Sequence, residues 1–239
     1  MMDSLITCIH ATLGRPAKAL ATMYLWQERC HDPALVEWLF AFNNNDGSRF
    51  QIMERDKSKD RFTVTSVDLI TRHSAPAWNA GASAASGQIF IQLSDDFECP
   101  VGWDRSLIEE IHAAGGVSNP IAVKVSDGFR KGDAADLMTI AICTRAYRDA
   151  EGVFMDPAFM SMYVDDNYTY RVLRNERDGL CKVVRCPDLV FPHRHYLYDK
   201  SVPHDETYAH QNSSEAYTLG KRLFEQKNPR AATDGLKKW

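Results

Sequence analysis

The residues best suited to chemistry are two adjacent aspartates, Asp95 and Asp96, which follow directly on the apolar run Ile89 to Leu93 and Ser94. Neighbouring carboxylates repel each other unless a cation or water screens them. Hard oxygen donors of this kind suit Mg²⁺ or Mn²⁺, which commonly bind through one or two carboxylates plus the phosphates of a substrate. The plainer reading is a solvated turn, and the position at the end of a buried run tells against it. A second acidic pair, Asp165-Asp166, opens a stretch of helical composition that runs to Asn175. A carboxylate there is either a stabilising first-turn charge on the helix dipole or a group kept ionised to accept a proton. Thr12 and Arg15 follow the first apolar run, and Asp46 sits in the turn after the second. A late segment, His193-Arg194-His195, offers imidazoles as metal ligands, against the alternative of a surface loop with incidental histidines.

These groups need elements to position them. Leu5 to Ile9 is a short apolar strand, broken by Thr12 to Pro16. Pro16 suits a first helical position, and Ala17 to Cys30 has helical composition. Val36 to Phe42 is a second strand, ending in the dense turn signal Asn43 to Ser48. Phe62 to Val67 alternates as a third strand, Ala77 to Ser86 is a small-residue helix stopped by Gly87, and Ile89 to Leu93 is a fourth strand. The order β-α-β-β-α-β predicts a mixed, mostly parallel α/β sheet with helices on both faces. Such sheets bind ligands beyond the carboxyl ends of their strands, where Thr12, Arg15, Asp46, Asp95 and Asp96 all fall. The second half is less regular. It predicts a helix over Asp104 to Ala114, strands at Ile121 to Val125, Leu137 to Cys143 and Lys182 to Cys186, and a polar, His- and Tyr-rich stretch from Pro192. No linker divides the chain, so residues 1–239 read as one domain.

Composition narrows the function. The 239 residues are 44% hydrophobic and 25% charged, and 28 basic against 32 acidic side chains leave a net charge of −4. That balance excludes a strongly basic, nucleic-acid-coating protein but not a local basic patch. No apolar run is long enough to span a bilayer, and Met1-Met2-Asp3-Ser4 has no signal-peptide character, so the expected location is the cytoplasm. Six cysteines without a CxxC pair fit reduced, mostly buried thiols. His10, Trp78 and Trp103 read first as core residues, with sugar or base stacking the alternative for the two tryptophans.

Five segments in order resemble the family 2-like glycosyltransferases of the GT-A (Rossmann-like) fold. Ile6 to Pro16 resembles their first strand and T-x-x-R-P turn, and Asn45-Asp46-Gly47-Ser48 their D-D-G-S. Asn79-Ala80-Gly81, with Ala85 to Phe90, resembles their N-x-G…A-x-G helix-to-strand segment. Leu93 to Trp103 resembles their metal motif and the P-x-G-W after it, and Asp165, six residues before Arg171, matches the spacing of their catalytic acidic motif. Ser94 stands where many members have the first Asp of D-x-D, and Val164 where many have Glu.

The resemblance implies a metal-dependent enzyme that moves a sugar from a nucleotide-sugar donor, a UDP-sugar first among them, to an acceptor hydroxyl with inversion. Thr12, Arg15, Asp46, Arg72, Asn79 and Asp95 match positions that hold the nucleotide. Asp96, with Asp95, matches the site of the divalent cation (Mn²⁺ or Mg²⁺), and His193 or His195 resembles the late metal histidine of some members, with a slight preference for His195. Asp165 matches the general base, with Asp166 beside it. Residues 1–100 would then be the donor and metal half, 101–226 the acceptor and catalytic half, and 227–239 a peripheral tail. The acceptor would be a glycan or a hydroxylated base in DNA, with Lys221, Arg222, Lys227, Arg230, Lys237 and Lys238 as phosphate contacts in the second case. The competing classes are a metal-dependent nucleotidyltransferase, for which Gly14-Arg15-Pro16 is too poor in glycine, and a non-catalytic sugar-nucleotide-binding module.

Overall fold

The computed structural model describes residues 5–43, 46–69, 73–130, 136–196, 200, 209 and 213–231. Seven strands form one sheet: β1 (Ile6–Thr12), β2 (Val36–Asn43), β3 (Thr63–Leu69), β4 (Ile89–Leu93), β5 (Ile121–Ser126), β6 (Ile142–Thr144) and β7 (Lys182–Val190). Their order is β3-β2-β1-β4-β6-β5-β7. The first four are parallel, β6 runs antiparallel to both its neighbours, and β7 lies parallel to β5. Among the described residues the α-helices are α1 (Pro16–Glu28), α2 (Ser48–Met53), α3 (Ser74–Ala84), α4 (Trp103–Ala113), α5 (Arg145–Glu151), α6 (Val164–Arg177) and α7 (Ser214–Lys227), with short 3-10 turns at Pro33–Leu35 and Lys57–Lys59. This is the mixed, mostly parallel α/β sheet expected for a single domain.

Alternation along the strands builds two cores. Ile6, Cys8, Trp38 and Phe40 point to one face, where Met23 and Trp26 of α1 and Leu107 and Ile111 of α4 meet them. Ile9, Leu39 and Phe90 point to the other, under Trp78 of α3 and Tyr168 of α6. Trp26 lies 4.9 Å from Trp103 and 6.0 Å from Trp38, edge to face, and each indole N–H of Trp26 and Trp103 finds a backbone carbonyl. Removing one such side chain costs about 3–5 kcal/mol. Trp78 likewise donates to the Leu93 carbonyl at 2.9 Å, so both tryptophans first read as core residues are core residues.

The small residues of α3 have a steric cause. A Cβ on Gly81 would lie 2.2 Å from Ile9 Cγ2, and one on Gly87 would lie 2.8 Å from the Ile6 carbonyl carbon. Helix and sheet approach this closely only without those side chains. The helix itself stops at Ala84, so Gly87 serves the contact with β1 rather than the stop assigned to it.

Three sequence expectations are corrected. The run Leu137 to Cys143 is a strand only from Ile142. Before that, Met138 N–H donates to Thr169 Oγ1, and Ala141 exchanges hydrogen bonds with the Gln92 side chain and backbone. The run is apolar because it is buried, not because it is paired. α2 intervenes between β2 and β3, too short to show a period. In the stretch read only as polar, α7 is capped by Ser213 and anchored by Phe224, with Gly220 packed on the Met162 backbone.

Candidate functional site

Parallel pairing brings the ends of β1, β2 and β4 to one edge of the sheet. Thr12 stands opposite Phe42, and His10 opposite Leu93. Beyond that edge the first two turns meet. Gly14 N–H donates to Asp46 Oδ2 at 3.1 Å, while Asp46 Oδ1 accepts from the Ser48 N–H at 2.9 Å and the Ser48 hydroxyl at 2.6 Å. Asp46 is thus a fixed, buried carboxylate that ties the two turns together. Thr12 Oγ1 is buried and has no hydrogen-bond partner among the described residues, which leaves it available to a ligand.

The adjacent aspartates face different partners. Asp95 Oδ1 lies 2.8 Å from His10 Nε2, and Arg15 Nη1 approaches Asp95 Oδ2 at 3.7 Å. Thr22 of α1 also donates to the Asp95 carbonyl at 3.1 Å. Asp96 takes the Ser94 hydroxyl at 2.5 Å and lies 3.2 Å from His193 Nε2. Burial works against the charge of Asp96, but His193 and Ser94 outweigh it and hold the carboxyl well below the usual carboxylate range. The repulsion expected between the pair is therefore met by protein groups on each side.

His193 reaches Asp96 because its segment lies antiparallel to the metal-motif turn. Phe97 and His193 form a β-bridge, their rings stack at 4.3 Å, and Arg194 N–H donates to the Asp96 carbonyl at 2.7 Å. The ring of His195, the histidine slightly preferred from sequence, lies 5.1 Å from that of His193, and His193 Nε2 is placed 3.2 Å from the Asp96 carboxylate.

The donor set fits a hard divalent cation. An ionised carboxylate, an imidazole and a hydroxyl converge at Asp96, and the buried His193 Nδ1 has no partner among the described residues. No three His, Cys, Asp or Glu side chains form a closed cage among the described residues. An ion that completes its shell with phosphates and water needs only one or two protein ligands.

Asp165 occupies the first turn of α6, as the sequence predicts. Tyr163, just before it, has φ 66, a left-handed conformation that is costly for a tyrosine. Burial and the charge of Asp166 push the Asp165 carboxyl up to about 6, against the opposing pull of Arg130. Arg130 is held by Asp127, whose carbonyl accepts from His193 N–H at 3.2 Å. Contacts therefore link Asp96 through His193 and Asp127 to Arg130, whose charge acts on Asp165. Arg171 is used elsewhere: it bonds Glu151 and the Val153 carbonyl, fixing α5 against α6.

Other predicted residues fare differently. Asn79 spends both ends of its amide on the Met155 backbone, at 2.6 and 2.8 Å. Arg72 lies outside the described residues, as do Lys237 and Lys238. Lys221 and Arg222 ride on α7, and Lys227 bridges to Asp156 at 2.8 Å. His10, read from sequence as a core group, is fully buried between Trp38 and Phe40 and yet reaches the site through Asp95. Its register position beside Leu93 was the available clue. Asp127 and Arg130 carry no sequence signal that singles them out, and Ser94 carries only its place at the first position of the D-x-D motif.

No protein-family model matches the sequence, and no curated protein is similar to it in sequence. Solved structures are similar in fold. TarS 1–349 of S. aureus in complex with UDP superposes with a TM-score of 0.61 at 12% identity, covering 98% of this chain and 75% of that one. The chain spans 44% of a longer S. aureus TarS structure, with a TM-score of 0.60 at 12% identity. The mannosyltransferase PcManGT from Pyrobaculum calidifontis, in complex with GDP-Man and Mn²⁺, gives 0.60 at 14% identity over 98% of this chain and 77% of that one. Glucosyl-3-phosphoglycerate synthase from Mycobacterium tuberculosis gives 0.56 at 14% identity over 91% and 78%. The chain has the GT-A fold of nucleotide-sugar transferases. Among the described residues no helix is long and apolar enough to cross a membrane.

Proposed function

We propose that this protein is a glycosyltransferase that binds a nucleotide-sugar, a UDP-sugar first among the candidates, with a divalent cation and transfers the sugar to an acceptor hydroxyl with inversion. The observation that carries the reading is Asp96, kept ionised beside His193 at the carboxyl end of β4, on the edge where Thr12 and Asp46 also gather. In this reading Thr12 and Asp46 hold the nucleoside, Asp95 is oriented by His10 and Arg15 toward the donor, and Asp96 with His193 holds the cation. When bound, Mn²⁺ or Mg²⁺ would neutralise the charge that grows on the departing diphosphate. Residues 1–100 serve the donor and 101–226 the acceptor and the base.

Asp165 takes the acceptor proton as the acceptor oxygen attacks the anomeric carbon and the bond to the diphosphate breaks. One displacement gives one inversion. A carboxyl near 6 is mostly ionised at neutral pH yet more basic than an ordinary aspartate, which suits a general base. The acceptor in this reading is a hydroxyl-bearing glycan, with a hydroxylated base in DNA as the alternative.

The test is a calorimetric screen of UDP-, GDP- and dTDP-sugars with Mn²⁺ and with EDTA. Binding of one nucleotide class, lost in EDTA, is the expected result. Nucleotide affinity that is absent, or the same in EDTA, overturns the reading.

A further inference from the structure

The turn that carries Asp165 is entered in a strained conformation. Tyr163, the residue before Val164 and α6, is the one non-glycine residue with a positive φ among the described residues. A bulky side chain disfavours that conformation, and it persists only where surrounding contacts over-determine it. No side chain caps the N-terminus of α6, whereas Thr144 caps α5 and Ser213 caps α7.

The contacts that fix Tyr163 come from α7. The Tyr163 hydroxyl donates to that of Tyr217 at 2.9 Å, and the two rings meet edge to face at 5.2 Å. Phe224 lies 5.9 Å from the ring of Tyr163 and 6.1 Å from that of Tyr170, so α7 grips α6 at two points along its length. Gly220 lets the backbones touch: a Cβ there would stand 2.6 Å from the Met162 carbonyl oxygen, one residue before Tyr163. Tyr217 itself is 49% exposed, so its hydroxyl contact can be removed with little disturbance to the core.

The turn so held sets the direction of the proposed base. The Tyr163 carbonyl accepts from Asn167 N–H at 3.0 Å, Asp165 Oδ1 accepts from Asp166 N–H at 3.0 Å, and Thr169 Oγ1 donates to the Asp165 carbonyl at 2.7 Å. The carboxyl is therefore aimed by the backbone of this turn and moves with it. Asp166 and Arg130 are the charges that act on the Asp165 carboxyl, and Asp166 and Glu225 of α7 those that act on the Tyr163 hydroxyl.

From these contacts we infer that α7 is a clamp on the first turn of α6, and that Tyr217, through Tyr163, is a positioning residue that aims the Asp165 carboxyl at the acceptor hydroxyl. The inference rests on the reading of Asp165 as the base and adds the element that orients it.

Three variants test it. Tyr217→Phe and Tyr163→Phe each remove the hydroxyl contact and keep the ring, and Gly220→Ala drives α7 away from Met162. Hydrogen exchange at the amides of residues 164–167 should quicken by about tenfold or more in all three. The Asp165 carboxyl, followed by NMR, should titrate below about 6, because an opened turn returns water to it. Nucleotide release from the donor sugar should slow by about 10–100-fold, the scale of a small misplacement of a reacting group, with nucleotide affinity unchanged. The double variant Tyr163→Phe, Tyr217→Phe should be no slower than either single one, since both act on one contact. Exchange and titration like those of wild type in the two phenylalanine variants overturn the clamp, whatever Gly220→Ala does, and so does a loss of nucleotide affinity equal to the loss of rate. Faster exchange and a lowered titration with turnover unchanged overturn the reading of Asp165 as the base instead.

Discussion

The donor edge and the base region of this molecule are built in opposite ways. At the donor edge each carboxylate sits in a turn directly after a parallel strand and accepts from a serine two positions away, Asp46 from Ser48 and Asp96 from Ser94, with Gly14 of the neighbouring turn also donating to Asp46. In the base region the first turn of α6 is tied to distant segments: Thr169 donates to the Asp165 carbonyl and accepts from Met138 N–H, and the charge of Arg130 acts on the Asp165 carboxyl. The first arrangement follows from topology, because parallel strands deliver their ends to one edge. The second depends on packing that can be altered without touching the sheet. Substitutions at the donor edge should therefore break ligand binding, and those in the base region should break turnover.

The largest expected effect is on turnover. Asp165→Asn should lower it by about 10²–10⁴-fold, while nucleotide affinity stays nearly unchanged. Asp166→Asn is the matched control, since adjacent helical side chains point about 100° apart and only one can face the acceptor. In the wild type the rate should rise with pH through about 6 as Asp165 ionises. Nucleotide release followed over pH 4–8 checks both points. A larger loss in Asp166→Asn would shift the assignment by one residue, and a retained anomeric configuration in the product would remove the mechanism.

Next comes the donor edge. Asp96→Ala should abolish metal-dependent nucleotide binding and cost about 10²-fold or more in rate, whereas His193→Ala should weaken metal affinity by about 10–100-fold, the range for a residue that ligates or orients a ligand. Mn²⁺ titration in the presence of nucleotide distinguishes them. An unaltered Mn²⁺ affinity in His193→Ala would mean that the imidazole only balances the charge of Asp96. The contrast drawn above would fail if Asp96→Ala left binding intact and reduced turnover alone.

The same contrast explains what was legible in the sequence. β1 to β4 and the residues after them could be read because apolar runs, turn residues and Pro16 are local signals, and the motif residues follow them at fixed offsets. The small residues of α3 were read as a helix, although the steric demand of Ile9 on Gly81 is visible only in three dimensions. His10 reads as core from the sequence, and it is buried, but its contact with Asp95 depends on sheet register. Leu137 to Ala141 misled because burial and strand pairing give the same apolar pattern, and α7 was missed because Phe224 is nearly its whole apolar anchor. Composition does not separate His193 from His195, and the antiparallel bridge to Phe97, which sets His193 beside Asp96, is visible only in three dimensions.

The smallest predicted effect bears on the cost of holding a base in the buried first turn of α6. The Asp165 carboxyl stands near 6 in the fold against an ordinary value of 3.8, so the folded state binds its proton more tightly than the unfolded chain does. The stability this contributes is fully present below about pH 4 and is lost as pH rises through about 6. At pH 7 the ionised group opposes folding, through burial first and the neighbouring Asp166 second, with Arg130 returning part of the loss. Asparagine has no charge to bury, and its side-chain oxygen can keep the bond that Asp166 N–H now makes at 3.0 Å. Asp165→Asn should therefore be more stable than wild type at pH 7. After discounting for the partial exposure of the site, the gain is about 1 kcal/mol, or a Tm increase of about 2–4 °C for a chain of this size. The difference should shrink to nothing by pH 4, where both side chains are neutral. A variant that loses turnover while gaining stability in this pH-dependent way has lost a functional group and not a structural one. If Asp165→Asn melts below wild type at pH 7, the carboxylate is a helix-terminal support for α6, and the base must be sought at another residue.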